Sequence, residues 1–350
     1  MSTPLHWMCR PPLSKNPMKL NRRKEELSEL ELGRRQFLAW SAAGCAFATA
    51  PSLSYANKLL YPLSASPIAE DTWAVYGLPE YFSLENGGNI VNVAFIDVGD
   101  GIVVVDTGTS KRYGESLVEL IQSTVPGKPI IRVYNTHHHP DHVFGNQAFD
   151  ANIIATTPEI TAALARDAVA FSDNLYRLLG DWMRGTETVL PTVLLESDSE
   201  SIGNRTFSFT PLSGHTEADL IIRDDKTGVV FGGDLAFLSR APTTPSANLP
   251  SWHDALNQIE SMDRSMILPG HGPVDLDGES VTETRNYLTW VEASLREAVG
   301  EGLTMNEAMA IDIPEEFSQL YVVRTEFERS VVHLYRRFED EILQETEVTR

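Results

Sequence analysis

Between Asn135 and His142 the chain reads Asn-Thr-His-His-His-Pro-Asp-His, which gathers four of its nine histidines into one short stretch. Read as His-x-His-x-Asp-His, it offers His137 and His139 to one metal ion and Asp141 and His142 to a second. Three later motifs carry further donors: Gly214-His215-Thr216, Gly232-Gly233-Asp234 and Gly270-His271-Gly272. Imidazoles and carboxylates without thiolates suit zinc, and also iron or manganese. His137, His139 and His215 make a three-histidine zinc site with an open fourth position. Asp141, His142 and His271 hold the second ion, and the Asp234 carboxylate can bridge the two. Two ions about 3.5–4 Å apart can share a hydroxide and clamp a tetrahedral intermediate. That hydroxide exists at neutral pH because a metal-bound water reaches a pKa of about 7, so no serine or cysteine nucleophile is needed. Asp106 is read as a carboxylate that orients a ligand imidazole. His138 points away from its neighbours if the loop is extended, His253 and His333 lie in helical stretches as structural residues, and His6 belongs to the N-terminal leader.

These donors need strands that end at one edge. From Thr72 the chain is β-rich, with strands expected at 72–77, 89–97 and 102–106, the last a continuous apolar run of the kind buried on both faces. It ends in Asp106-Thr107-Gly108, and the strand ends of α/β architectures face the site. A helix is expected over 111–124, a strand over 130–134 delivering the histidine loop, a helix beginning at 142–149, a strand over 152–156 and a helical region from Pro158 to about Arg184. A second β-rich block starts near Ser199, with strands at 206–210, 220–222, 228–231 and 266–268. Two such blocks, each followed by helices, predict an αββα sandwich of the α/β (α+β) class with the site at one edge. After Glu279 the chain turns helical, over 280–299 and 323–345, and an apolar stripe through Phe327, Val331, Leu334, Phe338 and Ile342 docks the last helix on the main domain. The expected organisation is a leader over 1–56, a linker over 57–71, a catalytic domain over 72–278 and packed helices over 279–350.

The leader has the order of a secretory signal: Gly33-Arg34-Arg35-Gln36-Phe37-Leu38, an apolar run over 39–50, then Ser54-Tyr55-Ala56 as a small-x-small cleavage site. The paired arginines resemble a twin-arginine signal and place the mature protein in the periplasm. Ala43-Gly44-Cys45 is lipoprotein-like but lacks a leucine ahead of it, and the apolar run is too short to span a membrane. Both cysteines of the chain, Cys9 and Cys45, fall inside this leader, so no thiol is expected in the mature site. Residues 1–56 also carry eight of the 28 basic side chains but only four of the 49 acidic ones, so the remainder is more acidic than the chain's −21. Such a surface repels nucleic acid and anionic membranes, leaving a small-molecule or protein-bound substrate and no stable membrane insertion. The sequence carries no signal for an oligomeric state.

As a set, Val105-Asp106-Thr107-Gly108, His137-x-His139-x-Asp141-His142, Gly214-His215-Thr216, Gly232-Gly233-Asp234 and Gly270-His271-Gly272 resemble the metallo-β-lactamase superfamily, in order from Thr72 to Pro273. Within it, 136–149, 240–252 and the helical tail are similar to exported metallohydrolases of the sulfur-oxidation and quinoprotein-associated branch. The resemblance implies the αββα fold and a metal-bound hydroxide nucleophile. It also argues against antibiotic cleavage: members with a cysteine where Asp234 stands follow it with a lysine that grips the drug's carboxylate, and Leu235-Ala236-Phe237 supplies no cation. The expectation is an exported hydrolase with two zinc ions that cleaves a thioester or related sulfur-linked acyl bond, with Asp141 steering the proton. The alternatives are an iron-dependent persulfide dioxygenase, a β-lactamase, and a non-enzymatic binding module. Arg240 is read as a substrate-facing cation or else an exposed loop arginine, and 239–250 as a pocket wall with Trp252 behind it.

Overall fold

The computed structural model describes residues 59–348. The export signal expected over 1–56, with Cys9 and Cys45, lies outside the described residues. No helix among the described residues is long and apolar enough to cross a membrane.

The first β-rich block forms a seven-stranded sheet in chain order: β1 (Ser66–Ala69), β2 (Thr72–Val75), β3 (Val93–Asp97), β4 (Ile102–Val105), β5 (Ile130–Tyr134), β6 (Ile154–Thr156) and β7 (Val193–Leu194). Its first four strands meander antiparallel and the rest are parallel. The second block forms β8 (Ser199–Ile202), β9 (Arg205–Leu212), β10 (Asp219–Asp224), β11 (Val229–Phe237) and β12 (Met266–His271), in the order β12-β11-β10-β9-β8. The reason β4 reads as an unbroken apolar run is now visible. Val103 and Val105 face the second sheet, while Ile102 and Val104 face helix α1 (Lys111–Thr124) through Leu117 and Ile121.

The remaining helices are α2 (Pro140–Val143), α3 (Pro158–Leu179), α4 (Leu249–Ser261), α5 (Glu279–Gly300), α6 (Met305–Met309) and α7 (Val323–Val348). Helices α4, α5 and α7 cover the outer face of the second sheet in one apolar cluster with Leu235, Phe237 and Ile267. Two sheets face to face with helices outside both confirm the αββα expectation. The C-terminal helices share this core and are not a separate body.

Five boundaries differ from those expected. The linker over 57–71 contains a strand: Ser66–Ala69 pairs with β2, hiding an edge that would otherwise be open. The strand expected from Asn89 begins only at Val93, because Asn92 spends its backbone N–H on Gly270 O (2.8 Å) in the other sheet. The helix expected from His142 is a single α-turn, Pro140–Val143, followed by a 3-10 turn over Phe144–Ala148. Strand β11 runs past Gly233 to Phe237 through an irregular register, and β12 runs on to His271 despite Pro269. Proline is tolerated there because β12 is an edge strand.

Phe327 is fully buried and stacks on Trp290 at 4.7 Å. Phe327→Ala is expected to cost about 3–5 kcal/mol. Because α7 belongs to the common core, denaturant unfolding should keep one transition at a lower midpoint. Two separated transitions would show instead that the tail unfolds on its own.

Candidate metal centre

Six short segments bring the donors to one edge. Asp106 follows β4, the His137 loop follows β5, Asp234 lies within β11 and His271 ends β12. His215 sits in the β9–β10 turn, which Asp219 closes by accepting from Thr216 N (3.0 Å) and Thr216 Oγ1 (2.8 Å). The helical turn with Pro140 at its first position carries Asp141 and His142. Gly233 has φ +49° and starts the irregular stretch of β11. A side chain there would strike Thr136, and one on Gly270 would strike the Asp234 carboxylate. The kink in β11 therefore aims Asp234 at the histidines, and the glycines leave room for it.

All seven expected donors converge. His137, His139, His215 and Asp234 form one group and Asp141, His142 and His271 another, with the donor atoms of each group within 4.8 Å of one another. Asp234 connects the groups. Its Oδ1 lies 3.1 Å from His142 Nε2, and its Oδ2 lies 3.3 Å from both His215 Nε2 and His271 Nε2. Asp141 Oδ2 is 3.5 Å from His271 Nε2 and 3.9 Å from His142 Nε2.

The far side of most rings is tied down, which decides the nitrogen that faces inward. His271 Nδ1 donates to Ile90 O (2.7 Å), and His142 Nδ1 donates to Asp106 Oδ2 (2.8 Å), so both present Nε2. His137 Nδ1 meets Thr136 Oγ1 (3.1 Å), and His139 uses Nε2 on Ser246 Oγ (3.1 Å) and turns Nδ1 inward. A hydrogen-bonded outer nitrogen fixes tautomer and ring plane, as metal-ligating imidazoles require. His137 Nε2, His142 Nε2 and Asp234 Oδ1 are buried and have no hydrogen-bond partner within the protein. Buried polar atoms are ordinarily satisfied, so this donor set fits divalent cations.

Electrostatics agrees. Burial holds His137 and His139 well below the ordinary imidazole range and takes His215 to about 4, so these rings are neutral at pH 7. Burial also depresses His142, but Asp234, Asp106 and Asp141 outweigh it and raise it well above that range. His271 is raised by Asp234 in the same way. Burial works against the charge of Asp141, yet His142 and His271 hold it at about 2. The acids of the centre thus attract positive charge to the places where a cation would sit.

Asp106 is confirmed as an orienting carboxylate. Besides His142 it accepts from Thr136 N (2.9 Å) and Thr136 Oγ1 (2.7 Å), and it holds a left-handed backbone, φ +59°. Such strain in a non-glycine residue marks a site that the surroundings over-determine. His138 turns away as expected, toward Asp167 (3.3 Å) and Phe171. His253 and His333 lie in α4 and α7. The reading of Arg240 as an exposed loop arginine needs correction: it is buried and lines the cavity beside the donors, with Nη2 3.3 Å from the buried Glu326 Oε1 of α7. The 239–250 loop does supply pocket wall through Thr243, Pro245 and Ser246, and Trp252 backs His215 edge-on at 5.1 Å.

Several contributors had no signal of their own in the sequence. Asn92 Nδ2 donates to Pro269 O (2.8 Å) and Gly272 O (2.6 Å), bracketing His271 from the other sheet. Ile90 acts through its backbone and Ser246 through a loop. Only Thr136, inside the histidine motif, was adjacent to a visible signal.

Comparison with known proteins agrees with this fold. The model of the Metallo-beta-lactamase superfamily matches residues 86–271, just over half the chain, and the chain belongs to that superfamily. A hydroxyacylglutathione hydrolase of Erythrobacter litoralis is 24% identical over 164 residues, covering 47% of this chain and 55% of that protein. The acyl-coenzyme A thioesterase MBLAC2 of Homo sapiens is 25% identical over 215 residues, 53% of this chain and 74% of that one. Among solved structures, the metallo-beta-lactamase from Pontibacter korlensis superposes with a TM-score of 0.53 at 22% identity, covering 65% of this chain and 99% of that one. That likeness is one of fold.

Asp106→Ala frees His142 and the Thr136 backbone while leaving all seven donors in place. It is expected to weaken metal binding by about 10–100-fold, read by competition with a chromophoric chelator. Unchanged affinity in a folded variant would remove Asp106 from this role.

Proposed function

We propose that this chain is a metal-dependent hydrolase with a dinuclear zinc centre that cleaves a thioester or related sulfur-linked acyl bond. The observation that carries the reading is the convergence of seven nitrogen and oxygen donors in two linked groups, with unpartnered buried atoms facing inward. Zinc fits a donor set without thiolates, and iron or manganese would also accept it. His137, His139, His215 and Asp234 would hold one ion, and Asp141, His142 and His271 the other. Bound there, a pair of divalent cations supplies Lewis acidity and a water acidic enough to act as a nucleophile near pH 7.

The protein's own groups do the rest. Four of the donors, His139, Asp141, Asp234 and His271, line a cavity of about 120 Å³ whose walls also include Tyr81, Phe82, Ile90, Phe171 and Leu175. That mostly apolar lining suits an acyl group and limits water at the reacting carbonyl. Asp141, which lines the cavity and is 9% exposed at its side chain, would steer a proton toward the leaving thiolate by hydrogen bonding. Thioester chemistry is supported by relatives named for cleaving acyl–glutathione and acyl–coenzyme A bonds. Export to the periplasm is part of the proposal, supported by the basic, apolar and small-residue order over 33–56.

The test is the metal content of the purified protein together with turnover of a panel of thioesters, lactams and phosphodiesters. Zinc near two equivalents and preferential thioester cleavage are expected. His139→Ala should lose metal and reduce kcat/KM at least about 100-fold. Full activity in a metal-depleted His139→Ala protein would overturn the reading. Iron with oxygen uptake on a persulfide would replace it with the dioxygenase, and dominant nitrocefin turnover with the lactamase.

A further inference from the structure

The cavity at the metal ligands has a wall that lies beyond the segment matched by the family model. Apart from the metal ligands, Arg240 and Arg329 are the charged side chains that line it among the described residues. Arg329 comes from α7, far along the chain from every ligand. Both arginines share one anion. The fully buried Glu326 carboxylate lies 2.7 Å from Arg329 Nη1 through Oε2 and 3.3 Å from Arg240 Nη2 through Oε1. Arg240 is further pinned by donating to Glu80 O (3.4 Å) and Ala241 O (3.3 Å). Its Nε is buried with no partner. The Arg329 guanidinium lies over the Tyr81 ring at 5.0 Å, and its side chain stays 29% exposed.

Two guanidiniums and one carboxylate leave one positive charge over. It sits in a partly desolvated wall of the cavity, in a chain whose formal net charge is −21. If this cluster served only to dock α7, a single arginine would satisfy Glu326. The single Glu326 carboxylate neutralises only half the charge of the two guanidiniums, and the other carboxylates of the cavity, Asp141 and Asp234, belong to the donor groups. A planar guanidinium steadied over an aromatic ring, with free donors facing a cavity, is suited to carboxylate or phosphate oxygens.

We propose that Arg329, backed by Arg240 and positioned by Glu326 and Tyr81, binds an anionic oxygen group of the substrate, a carboxylate or a phosphate, and so selects anionic thioesters. This rests on the hydrolase reading for the bond that is cleaved, but the anion subsite can be tested without it.

The experiment uses the metal-loaded full-length protein and three thioesters of matched size: one neutral, one with a carboxylate and one with a phosphate on the thiol portion. The unmodified protein is expected to favour one of the anionic esters by about 10-fold or more in kcat/KM. Arg329→Gln should collapse that preference, mainly through KM, and Arg329→Lys should restore part of it. Arg336→Gln, on an exposed face of the same helix, should leave the preference intact. Which anionic ester is preferred distinguishes carboxylate from phosphate recognition. Equal loss on all three esters, or a fall in thermal midpoint with the preference kept, would reduce Arg329 to a docking residue. If no thioester is cleaved, calorimetric binding of inorganic phosphate and succinate decides. Binding that Arg329→Gln abolishes keeps the subsite and discards the thioester reading, whereas binding indifferent to that change discards the subsite.

Discussion

The rest of this structure depends on a crowding constraint: seven polar side chains must bring their donor atoms within a few ångströms of one another while leaving three of those atoms, His137 Nε2, His142 Nε2 and Asp234 Oδ1, buried without protein partners. Buried polar groups lacking hydrogen bonds cost on the order of 1–3 kcal/mol each. The fold tolerates the arrangement by satisfying the outer nitrogen of four of the five rings, all but that of His215. Ile90 O, Asp106, Thr136 Oγ1 and Ser246 each take the nitrogen that the centre does not use. Asp106 is the most heavily committed of these, serving Thr136 twice and His142 once from a strained backbone. Glycine at 233 and 270 completes the arrangement, since a Cβ at either position would occupy space that Thr136 and Asp234 need.

Much of this was legible in the residues. The donors are chemically conspicuous, and their spacing places each at a strand end or in a turn, so all seven can be read from the sequence. The sandwich followed from two β-rich blocks with the right burial signatures, β4 above all. What stayed hidden was interaction without composition. Asn92 is one asparagine among many until its amide is seen between Pro269 and Gly272. Strand β1 is short and half-exposed, with nothing periodic to announce it, and it read as linker. The extension of β11 depended on an irregular register at Gly233, where the Gly-Gly pair suggested a stop.

Arg240 shows the same limit from the other side. Its type was informative and its partner was not, because Glu326 is brought to it by the packing of α7 rather than by proximity in the chain. Helices read as a covering for the second sheet also reach the cavity. The apolar stripe of α7 that buries Phe327 and Val331 leaves Arg329 on a different face, beside Tyr81. One helix therefore both stabilises the core and shapes the mouth of the site.

The division of donors between the two sheets has a mechanical meaning. His137, His139, Asp141 and His142 belong to the half of the chain that builds the first sheet, and His215, Asp234 and His271 to the half that builds the second. Each of the two donor groups draws on both halves. Ions held there would act as covalent staples do, closing long loops and joining the sheets at their shared edge. The chain has no cysteine after Cys45 with which to make such a staple from sulfur. Coordination would then supply the cross-link as well as the reactive centre, and the cohesion of the sandwich would track the supply of metal.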